Sequence, residues 1–456
     1  MKVQQLFTSS LSVMTYYISD NGEAAVIDPL RDPYPYIRMA ESDDAIIKYI
    51  FLTHFHADFV SGHLDLAQKT GATIVYGPNA VADFDFYCAK DKEKFQIGNI
   101  FLQLLHTPGH TLESSSFLLI DEAGDTPCVF TGDCLFLDDV GRPDLATVPG
   151  SLTVKDLAGM QFDSLRSKIM TLPDDIIVYP NHGSGSSCGK NMKSSTFDTL
   201  KNQKETNYAL KPDMTKEEFI MEVTTGLETP PQYFPKNAKL NKSKLKDIDD
   251  IIYQATTPLF PDKFKEFADN PEYLVIDTRN KNDFIEYGTI PGALYIGIEA
   301  NFANWVGSLI ENIDQKIIFI ADNESNTREI ATRFSRVGYD NVKGYLLGGI
   351  HNWLNYGYDL IRVSTISSTE FSKLVKGESV LNVLDVRSKS DYLTGHLEGA
   401  INFPLQHINS NIHLLDKNQQ YFLYCTSGYV SLIATSILLY NDYNVVNING
   451  RYEELK

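Results

Sequence analysis

The sequence predicts an α/β chain with an N-terminal domain of interleaved strands and helices, followed by two copies of a smaller parallel α/β domain. Three observations carry this. A chain of 456 residues is too long for one ordinary core and suggests roughly three domains. Its N-terminal part reads as short apolar strands punctuated by turns and helices. Its C-terminal part repeats itself: D-T-R-N-K-N-D-F-I-E-Y-G-T-I-P-G-A from Asp277 matches D-V-R-S-K-S-D-Y-L-T-G-H-L-E-G-A from Asp385 with a one-residue gap.

Taken in order, residues 46–53 (IIKYIFLT) form a β-rich run that ends in a histidine cluster, residues 62–70 read as a helix, and residues 72–76 as the next strand. Apolar runs at 100–105 and 116–120 flank a second histidine motif, and residues 128–130 lead into Thr131-Gly132-Asp133. Residues 201–249 turn Lys-, Asn- and Pro-rich, with a helix expected at 216–225 and a turn at Pro230-Pro231; they read as an extension of the first domain plus a linker. In each repeat a strand (273–276, 380–384) precedes the shared motif. A second strand (317–321, 421–425) and a helix follow it, a βα alternation that argues for a parallel sheet. The expected domains are therefore 1–249, 250–363 and 364–456.

Hydrophobic content of 43% with 22% charged residues is that of a globular protein. The net charge of −19 repels phosphate backbones and anionic lipid, so neither nucleic acid nor membrane is an expected partner. The N-terminus alternates as strands do and lacks a signal-peptide pattern, and no run approaches a membrane span. The cysteines at 88, 128, 134, 188 and 425 are odd in number and form no CxxC. That usage fits a reducing, cytoplasmic setting in which a special cysteine is reactive, not structural.

Thr53-His54-Phe55-His56-Ala57-Asp58-Phe59 places two imidazoles and a carboxylate within five residues at a strand end. His106-Thr107-Pro108-Gly109-His110, Thr131-Gly132-Asp133 and Tyr179-Pro180-Asn181-His182-Gly183 add further donors of the kind that bind borderline divalent metals. Four such clusters in this order resemble the metallo-β-lactamase superfamily, whose pattern is H-x-H-x-D-H, then H, D and H. The resemblance covers roughly the first 200 residues and implies an αββα metallo-β-lactamase sandwich. Within the superfamily the T-H-x-H-A-D opening, T-P-G-H-T at 107–111, T-G-D and G-R-x-D at 141–144 look most like the persulfide dioxygenases of the ethylmalonic-encephalopathy-protein group.

One departure stands out. Phe59 occupies the position of the histidine that follows the aspartate in two-metal hydrolases, and phenylalanine cannot ligate. The second metal site of those enzymes, built on Asp58, residue 59 and His182, is therefore expected to be lost. The resemblance implies a single Fe(II) per chain on His54, His110 and Asp133, the two-histidine, one-carboxylate arrangement of non-haem oxygenases. His56, Asp58 and His182 would orient ligands or substrate. Arg142 and the Gly/Ser-rich segment 183–189 (GSGSSCG) are expected to face the substrate's carboxylate or phosphate groups, a surface loop being the plainer reading of the segment. Cys188 reads as a sulfur relay or a bystander.

In the last repeat, Cys425-Thr426-Ser427-Gly428-Tyr429-Val430-Ser431 follows an apolar strand and opens a helix, where backbone N–H groups and the helix end favour a thiolate. The loop resembles the rhodanese active loop C-x-x-G-x-R-S, and Asp385, Arg387 and Gly395-His396 match other elements of that family, with Gly428 and Ser431 supporting the cysteine. Val430 stands where the loop arginine is usual, which puts the preferred sulfur substrate in doubt. The middle repeat aligns Ala321 with Cys425 and Thr289 with His396, with Asp322 next in line. Without a thiol it has no nucleophile and is expected to be silent.

The domain order resembles the persulfide dioxygenase–sulfurtransferase fusions of sulfide detoxification. That resemblance implies oxidation of a glutathione, coenzyme A or bacillithiol persulfide with O2 to sulfite, and transfer of sulfane sulfur from Cys425 to sulfite to give thiosulfate. A homo-oligomer is expected. Two readings compete with it: a zinc thioester hydrolase of the glyoxalase II type, and a non-catalytic sulfur carrier or sensor.

Overall fold

The computed structural model describes residues 1–299, 301–377 and 381–455. Its contacts divide into two compact units, Met1–Ile248 with Ser335–Gly338, and Asp249–Phe334 with Tyr339–Lys456.

The first unit contains two six-stranded sheets. One runs β1 (Lys2–Thr8), β2 (Val13–Asp20), β3 (Glu23–Ile27), β4 (Ile46–Phe51), β5 (Thr73–Tyr76), β6 (Tyr87–Cys88) in spatial order. The other contains β7 (Lys94–Ile97), β8 (Ile100–His106), β9 (Ser115–Ile120), β10 (Cys128–Gly132), β11 (Ile177–Pro180) and β12 (Asp198–Thr199), ordered β12-β11-β10-β9-β8-β7. Strand alternation sorts the apolar residues into layers. Met14, Tyr16, Ile18, Ile27 and Phe51 of the first sheet meet Leu102, Leu104, Phe117, Leu119 and Phe130 of the second in one core. The opposite faces are covered too. Tyr17, Val26, Ile50, Leu52 and Ile74 pack with Tyr36, Ala40 and Leu66 of the helices Tyr34–Ser42 and His63–Thr70. On the other side Leu105, Leu118, Val129 and Val178 pack with Ala158 of the helix Val154–Ser164 and with Phe219 and Val223 of the helix Lys216–Thr224. The result is the αββα sandwich the sequence predicts. Because inner strands bury both faces, they read as continuous apolar runs, and each fully buried large side chain contributes roughly 1.5–3 kcal/mol.

Residues 201–249, expected as an extension of the first domain plus a linker, carry helices that pack on the first unit. Phe219 and Val223 lie four apart on one helical face, and with Phe234 and Asn237 they are buried, so the polar composition belongs only to the outer face. This stretch, through Ile248, is part of the first unit.

The second unit holds two all-parallel five-stranded sheets of identical order. The middle repeat has β13 (Pro258–Leu259), β14 (Tyr273–Asp277), β15 (Leu294–Tyr295), β16 (Lys316–Ile320) and β17 (Val342–Leu346), ordered β13-β17-β16-β14-β15. The last repeat has β18 (Thr365–Ser367), β19 (Asn382–Asp385), β20 (Ile401–Asn402), β21 (Gln420–Tyr424) and β22 (Asn444–Asn449), ordered β18-β22-β21-β19-β20. Residue 380 of the strand expected at 380–384 lies outside the described residues. Asp277 pairs with Ile320 and Asp385 with Tyr424, so Ala321 and Cys425 occupy the same position, one residue past equivalent strand ends.

Candidate metal centre and sulfur-transfer loop

The donors of the first unit gather at the carboxyl ends of parallel strands. His54, His56 and Asp58 follow β4, Asp133 follows β10 and His182 follows β11, while His110 lies on the β8–β9 connection. Loops at rigid strand ends can carry polar groups that a sheet interior cannot. His54, His110 and Asp133 are buried, with ligand atoms within 4.8 Å of one another. Asp133 Oδ2 lies 3.4 Å from His110 Nε2 and 3.9 Å from His54 Nε2.

Hydrogen bonds fix which nitrogen of each ring is available. The Thr53 hydroxyl donates its one proton to Asp28 Oδ2 (2.8 Å), so it accepts from His54 Nδ1 (2.9 Å). His110 Nδ1 donates to the Arg142 carbonyl (2.8 Å) and His182 Nδ1 to the Ser12 carbonyl (3.3 Å). Each arrangement leaves a lone pair on Nε2 pointing at the centre, the tautomer a metal ligand needs. His56 differs: its Nε2 is 3.0 Å from Asp28 Oδ1 and its Nδ1 is 3.4 Å from the Asn181 amide. His56 therefore braces the site.

Two glycines make the approach possible. A Cβ at Gly132, whose φ is +53°, would lie 2.7 Å from Thr53 Cβ. One at Gly141 would lie 2.3 Å from the Asp133 carbonyl oxygen and 3.0 Å from His110 Nδ1. The T-G-D and G-R patterns thus record backbone crowding around the ligands.

Electrostatics point the same way. Burial pushes His110 down to about 4 and holds His54 well below its usual value, reinforced by the neighbouring imidazoles. Burial, then the Asp58 and Asp28 carboxylates, drive Asp133 well above the usual carboxylate range. Both oxygens of Asp133 and of Asp58, with His182 Nε2, are buried without a hydrogen bond. Neutral imidazoles and crowded, unpartnered carboxylates are what a divalent cation would satisfy, so these residues fit a metal.

One sequence expectation needs correction. Arg142 does not offer its guanidinium to a substrate. It is buried, with Nε and Nη2 on Asp144 (2.7 and 2.8 Å), Nη2 also on the Glu228 carbonyl (2.6 Å) and Nη1 on the Ser187 carbonyl (3.2 Å). Its donors are spent on shaping the loop. The Gly/Ser segment is braced: the Arg142 N–H bonds the Cys188 carbonyl (2.9 Å), and Asp139 accepts from the backbone of Lys190 and, at 2.7 Å, of Asn191. Cys188 is consequently 2% exposed, and its sulfur sits with Asp58 and His182 within 4.8 Å. Burial, then Asp58 and Asp133, push its thiol up.

Sequence reasoning missed Asp28, Asn241 and Asp139. Asp28 follows β3 in a left-handed conformation (φ +51°) and holds Thr53 through both its N–H and its hydroxyl. Backbone strain of this kind is maintained only where the surroundings require it. The turn-prone Ile27-Asp28-Pro29 was the available signal. Asn241 bonds the His56 and Phe59 carbonyls and the Ser61 N–H, with nothing in its local sequence to mark it.

In the last repeat Cys425 is buried, and its sulfur accepts from the Gly428 N–H (3.1 Å). Ser431 Oγ lies 3.6 Å from that sulfur and donates to Asn447 Oδ1 (2.8 Å), another residue the motif does not mark. Gly428, at φ +82°, turns the chain into the helix Tyr429–Tyr440. Asp385 and Arg387 form a buried pair (Nε–Oδ1 2.9 Å), Arg387 also donates to the Gly395 carbonyl (2.8 Å), and Tyr424 donates to Asp385 (2.6 Å). His396 is exposed and stacked on Tyr392, centroids 3.7 Å apart. Asp385, Arg387 and Tyr424 are therefore tied together directly before Cys425, while His396 contacts Tyr392. The middle repeat copies this pairing: Arg279 pairs with Asp277 (2.9 Å) and reaches the Gly288 carbonyl (2.6 Å), and Thr289 donates to Asp277 (2.6 Å) where Tyr424 serves Asp385. Ala321 supplies no nucleophile there, and Asp322 accepts from the Asn280 N–H (3.2 Å). The middle repeat also touches the loop of the last: Lys281 Nζ donates to the Ser427 carbonyl (2.9 Å) and Tyr429 to the Gly297 carbonyl (2.8 Å).

Comparison with known proteins agrees with this geometry. Residues 10–182 match the metallo-beta-lactamase superfamily, and residues 260–356 and 367–456 each match the rhodanese-like domain. A solved metallo-beta-lactamase from Staphylococcus aureus subsp. aureus COL is 33% identical, with a TM-score of 0.65 over 76% of this chain and 98% of that one. The hydroxyacylglutathione hydrolase GloC of Haemophilus influenzae is 30% identical over 200 residues, 39% of this chain and 88% of its own. The chain belongs to the metallo-beta-lactamase superfamily. This superfamily member is also 28% identical to the mitochondrial persulfide dioxygenase ETHE1 of Bos taurus, over 40% of this chain and 67% of that one. It spans 65% and 58% of the length of two further hydroxyacylglutathione hydrolases, from Bradyrhizobium and Schizosaccharomyces pombe. No described helix is long and apolar enough to cross a membrane.

Proposed function

We propose that the chain oxidises a low-molecular-weight thiol persulfide to sulfite at one Fe(II) held by His54, His110 and Asp133, and that Cys425 transfers sulfane sulfur to sulfite. The observation that carries this reading is the two-histidine, one-carboxylate cluster beside Phe59, whose ring stacks on His56 at 4.3 Å where the two-metal hydrolase pattern has a ligand. A sulfur-transfer cysteine in the same chain supports it. Bound there, iron would supply the redox chemistry that activates O2 toward sulfur. The protein's part is to hold both histidine ligands in fixed tautomers, His54 through Thr53 and Asp28 and His110 through the Arg142 carbonyl, with Asp133 as the third residue that would hold the metal.

The overall change is RSSH + O2 + H2O → RSH + SO3²⁻ + 2H⁺. In the second unit the Cys425 thiolate first takes the outer sulfur of a second persulfide and releases the thiol (Cys–S⁻ + RSSH → Cys–S–S⁻ + RSH), and that outer sulfur is then attacked by sulfite. The S–S bond breaks and the electron pair returns to the Cys425 thiolate: Cys–S–S⁻ + SO3²⁻ → Cys–S⁻ + S2O3²⁻. The Gly428 N–H, which already points at the sulfur, stabilises the thiolate that leaves. Covalent linkage keeps sulfite near its acceptor. Glutathione, coenzyme A or bacillithiol is the expected thiol, and detoxification of sulfide the expected role.

A second reading is a zinc thioester hydrolase, favoured by the 30% identity to a hydroxyacylglutathione hydrolase. The deciding experiment gives iron-loaded and zinc-loaded protein both glutathione persulfide and lactoylglutathione. Sulfite from the iron form without D-lactate from either supports the dioxygenase. D-lactate from the zinc form, with no sulfite, supports the hydrolase.

A further inference from the structure

The middle repeat has no thiol, yet it is built onto the helix that the Cys425 loop opens. That helix, Tyr429–Tyr440, is buried continuously from Ser431 to Leu438. A helix apolar all round must be covered on both sides. Its own strands β21 and β22 cover one side. The middle repeat meets it elsewhere: the Tyr295 N–H of edge strand β15 donates to Ser436 Oγ (3.0 Å), and the Tyr429 hydroxyl donates to the Gly297 carbonyl (2.8 Å). Asn409 adds a further tie, from its amide to the Leu309 carbonyl (2.8 Å). The repeat without a nucleophile is therefore part of the wall around the one that has it.

The loop itself is short of positive charge. Sulfite and a Cys425 perthiolate are both anions and repel each other, in a chain whose net charge of −19 already disfavours an anion's approach. Val430 stands where the C-x-x-G-x-R-S pattern has arginine. Arg387 is spent on Asp385 (2.9 Å) and the Gly395 carbonyl (2.8 Å), and Arg333 of the middle repeat on Glu329 (2.7 Å) and the Ile298 carbonyl (2.6 Å). Lys281 is different. Its Nζ donates to the Ser427 carbonyl (2.9 Å), inside the loop, and among the described residues no carboxylate pairs with it. An ammonium carries three N–H groups, so this one bond leaves others for a bound anion. Thr426 and Ser427 are exposed, so this side of the loop is open to solvent.

We propose, on the reading that Cys425 transfers sulfur to sulfite, that Lys281 sets the acceptor specificity of the last repeat by binding the sulfite oxygens, so that the middle repeat supplies the charge that Val430 lacks. The Ser427 carbonyl fixes where the ammonium sits. Lys281 stays protonated and makes no bond to sulfur. The S–S bond breaks and its electron pair returns to Cys425, while the ammonium offsets the charge that two anions bring together. The thiol-less repeat thereby recognises the acceptor for its neighbour's nucleophile.

The test loads Cys425 of the full chain with glutathione persulfide under anaerobic conditions, so that the first unit makes no sulfite, and then offers two acceptors. Sulfite is read as thiosulfate, and the uncharged dithiol dithiothreitol as released sulfide. Lys281→Gln keeps a donor for the Ser427 carbonyl and removes the charge. It is expected to raise KM for sulfite more than it lowers kcat. The ratio of kcat/KM for sulfite to that for dithiothreitol should fall by about twofold to tenfold. Lys281→Arg should hold the ratio near wild type, and Val430→Arg placed in the Lys281→Gln chain should restore it. Added salt should raise the wild-type KM for sulfite more than that of Lys281→Gln. A wild-type ratio in Lys281→Gln, or an equal loss with both acceptors, would overturn the proposal, since the contact would then only brace the loop. Wild-type protein that holds no cyanide-labile sulfur on Cys425, or passes none to sulfite, would instead overturn the transfer reading, and the proposal with it.

Discussion

Replacing Asn241 with alanine removes three hydrogen bonds at once from the loop that carries His54, His56 and Asp58. Its Nδ2 donates to the His56 and Phe59 carbonyls (2.8 and 2.7 Å), and its Oδ1 accepts from the Ser61 N–H (2.8 Å). The side chain is fully buried, so no solvent stands ready to replace it. Each buried backbone group left unpaired costs about 1–3 kcal/mol, and relaxation or a trapped water recovers part of that. The expected loss is about 3–6 kcal/mol for the first unit, a fall on the order of 10 °C in its unfolding temperature. The same loop carries a ligand, so metal affinity should fall by about 10–100-fold. Asn241→Asp keeps the acceptor for Ser61 but turns lone pairs toward two carbonyls, and should be no better than alanine. Calorimetry of the full chain with a metal titration measures both effects, and sulfur transfer by Cys425, in the other unit, serves as the internal control. An unfolding temperature and metal affinity equal to wild type would refute the reasoning that this side chain holds the loop.

Gly141→Ala should abolish metal binding at the first site while leaving sulfur transfer intact, because its Cβ would lie 2.3 Å from the Asp133 carbonyl oxygen; metal content by elemental analysis checks this. His63 is buried against Phe84, and burial pushes it down to about 3. Its neutral form is thus favoured in the fold, the unfolded chain takes up its proton first, and its contribution to stability is lost as pH falls from about 6.5 toward 3. Compared with His63→Phe, wild-type metal-free protein should lose up to about 1.4 kcal/mol more per pH unit across that window, read by denaturant titration; parallel pH curves would contradict it. Cys425→Ser should eliminate thiosulfate formation without changing persulfide oxidation by the first unit, a separation that assays of sulfite and thiosulfate resolve. Lys281→Ala should lower kcat/KM for sulfur transfer by about twofold to tenfold, since the middle repeat then no longer braces the Ser427 carbonyl.

What the sequence reveals and what it hides follow a physical line. His54, Asp58, His110, Asp133, His182 and Cys425 sit in short local patterns, because strand ends and tight turns must place several donors within a few residues. The repeat is legible for the same reason, since Asp277 with Arg279 and Asp385 with Arg387 are two apart in each copy. Asn241 acts on residues 185 and 182 positions away, and no local pattern records so distant a partner. Arg142 reads as an anion binder because the sequence cannot show Asp144 and the Ser187 and Glu228 carbonyls consuming its donors. How much of residues 201–249 is extension and how much linker is not legible, because composition averages over faces while burial of Phe219 and Val223 depends on one face only.

The most direct test of the account is oxygen uptake by the full chain reconstituted with Fe(II) and given coenzyme A persulfide or glutathione persulfide, with the zinc-loaded form as control. The account predicts uptake and sulfite release with iron, none with zinc, and none in His110→Ala. No uptake with either persulfide, or equal turnover with zinc, would contradict it.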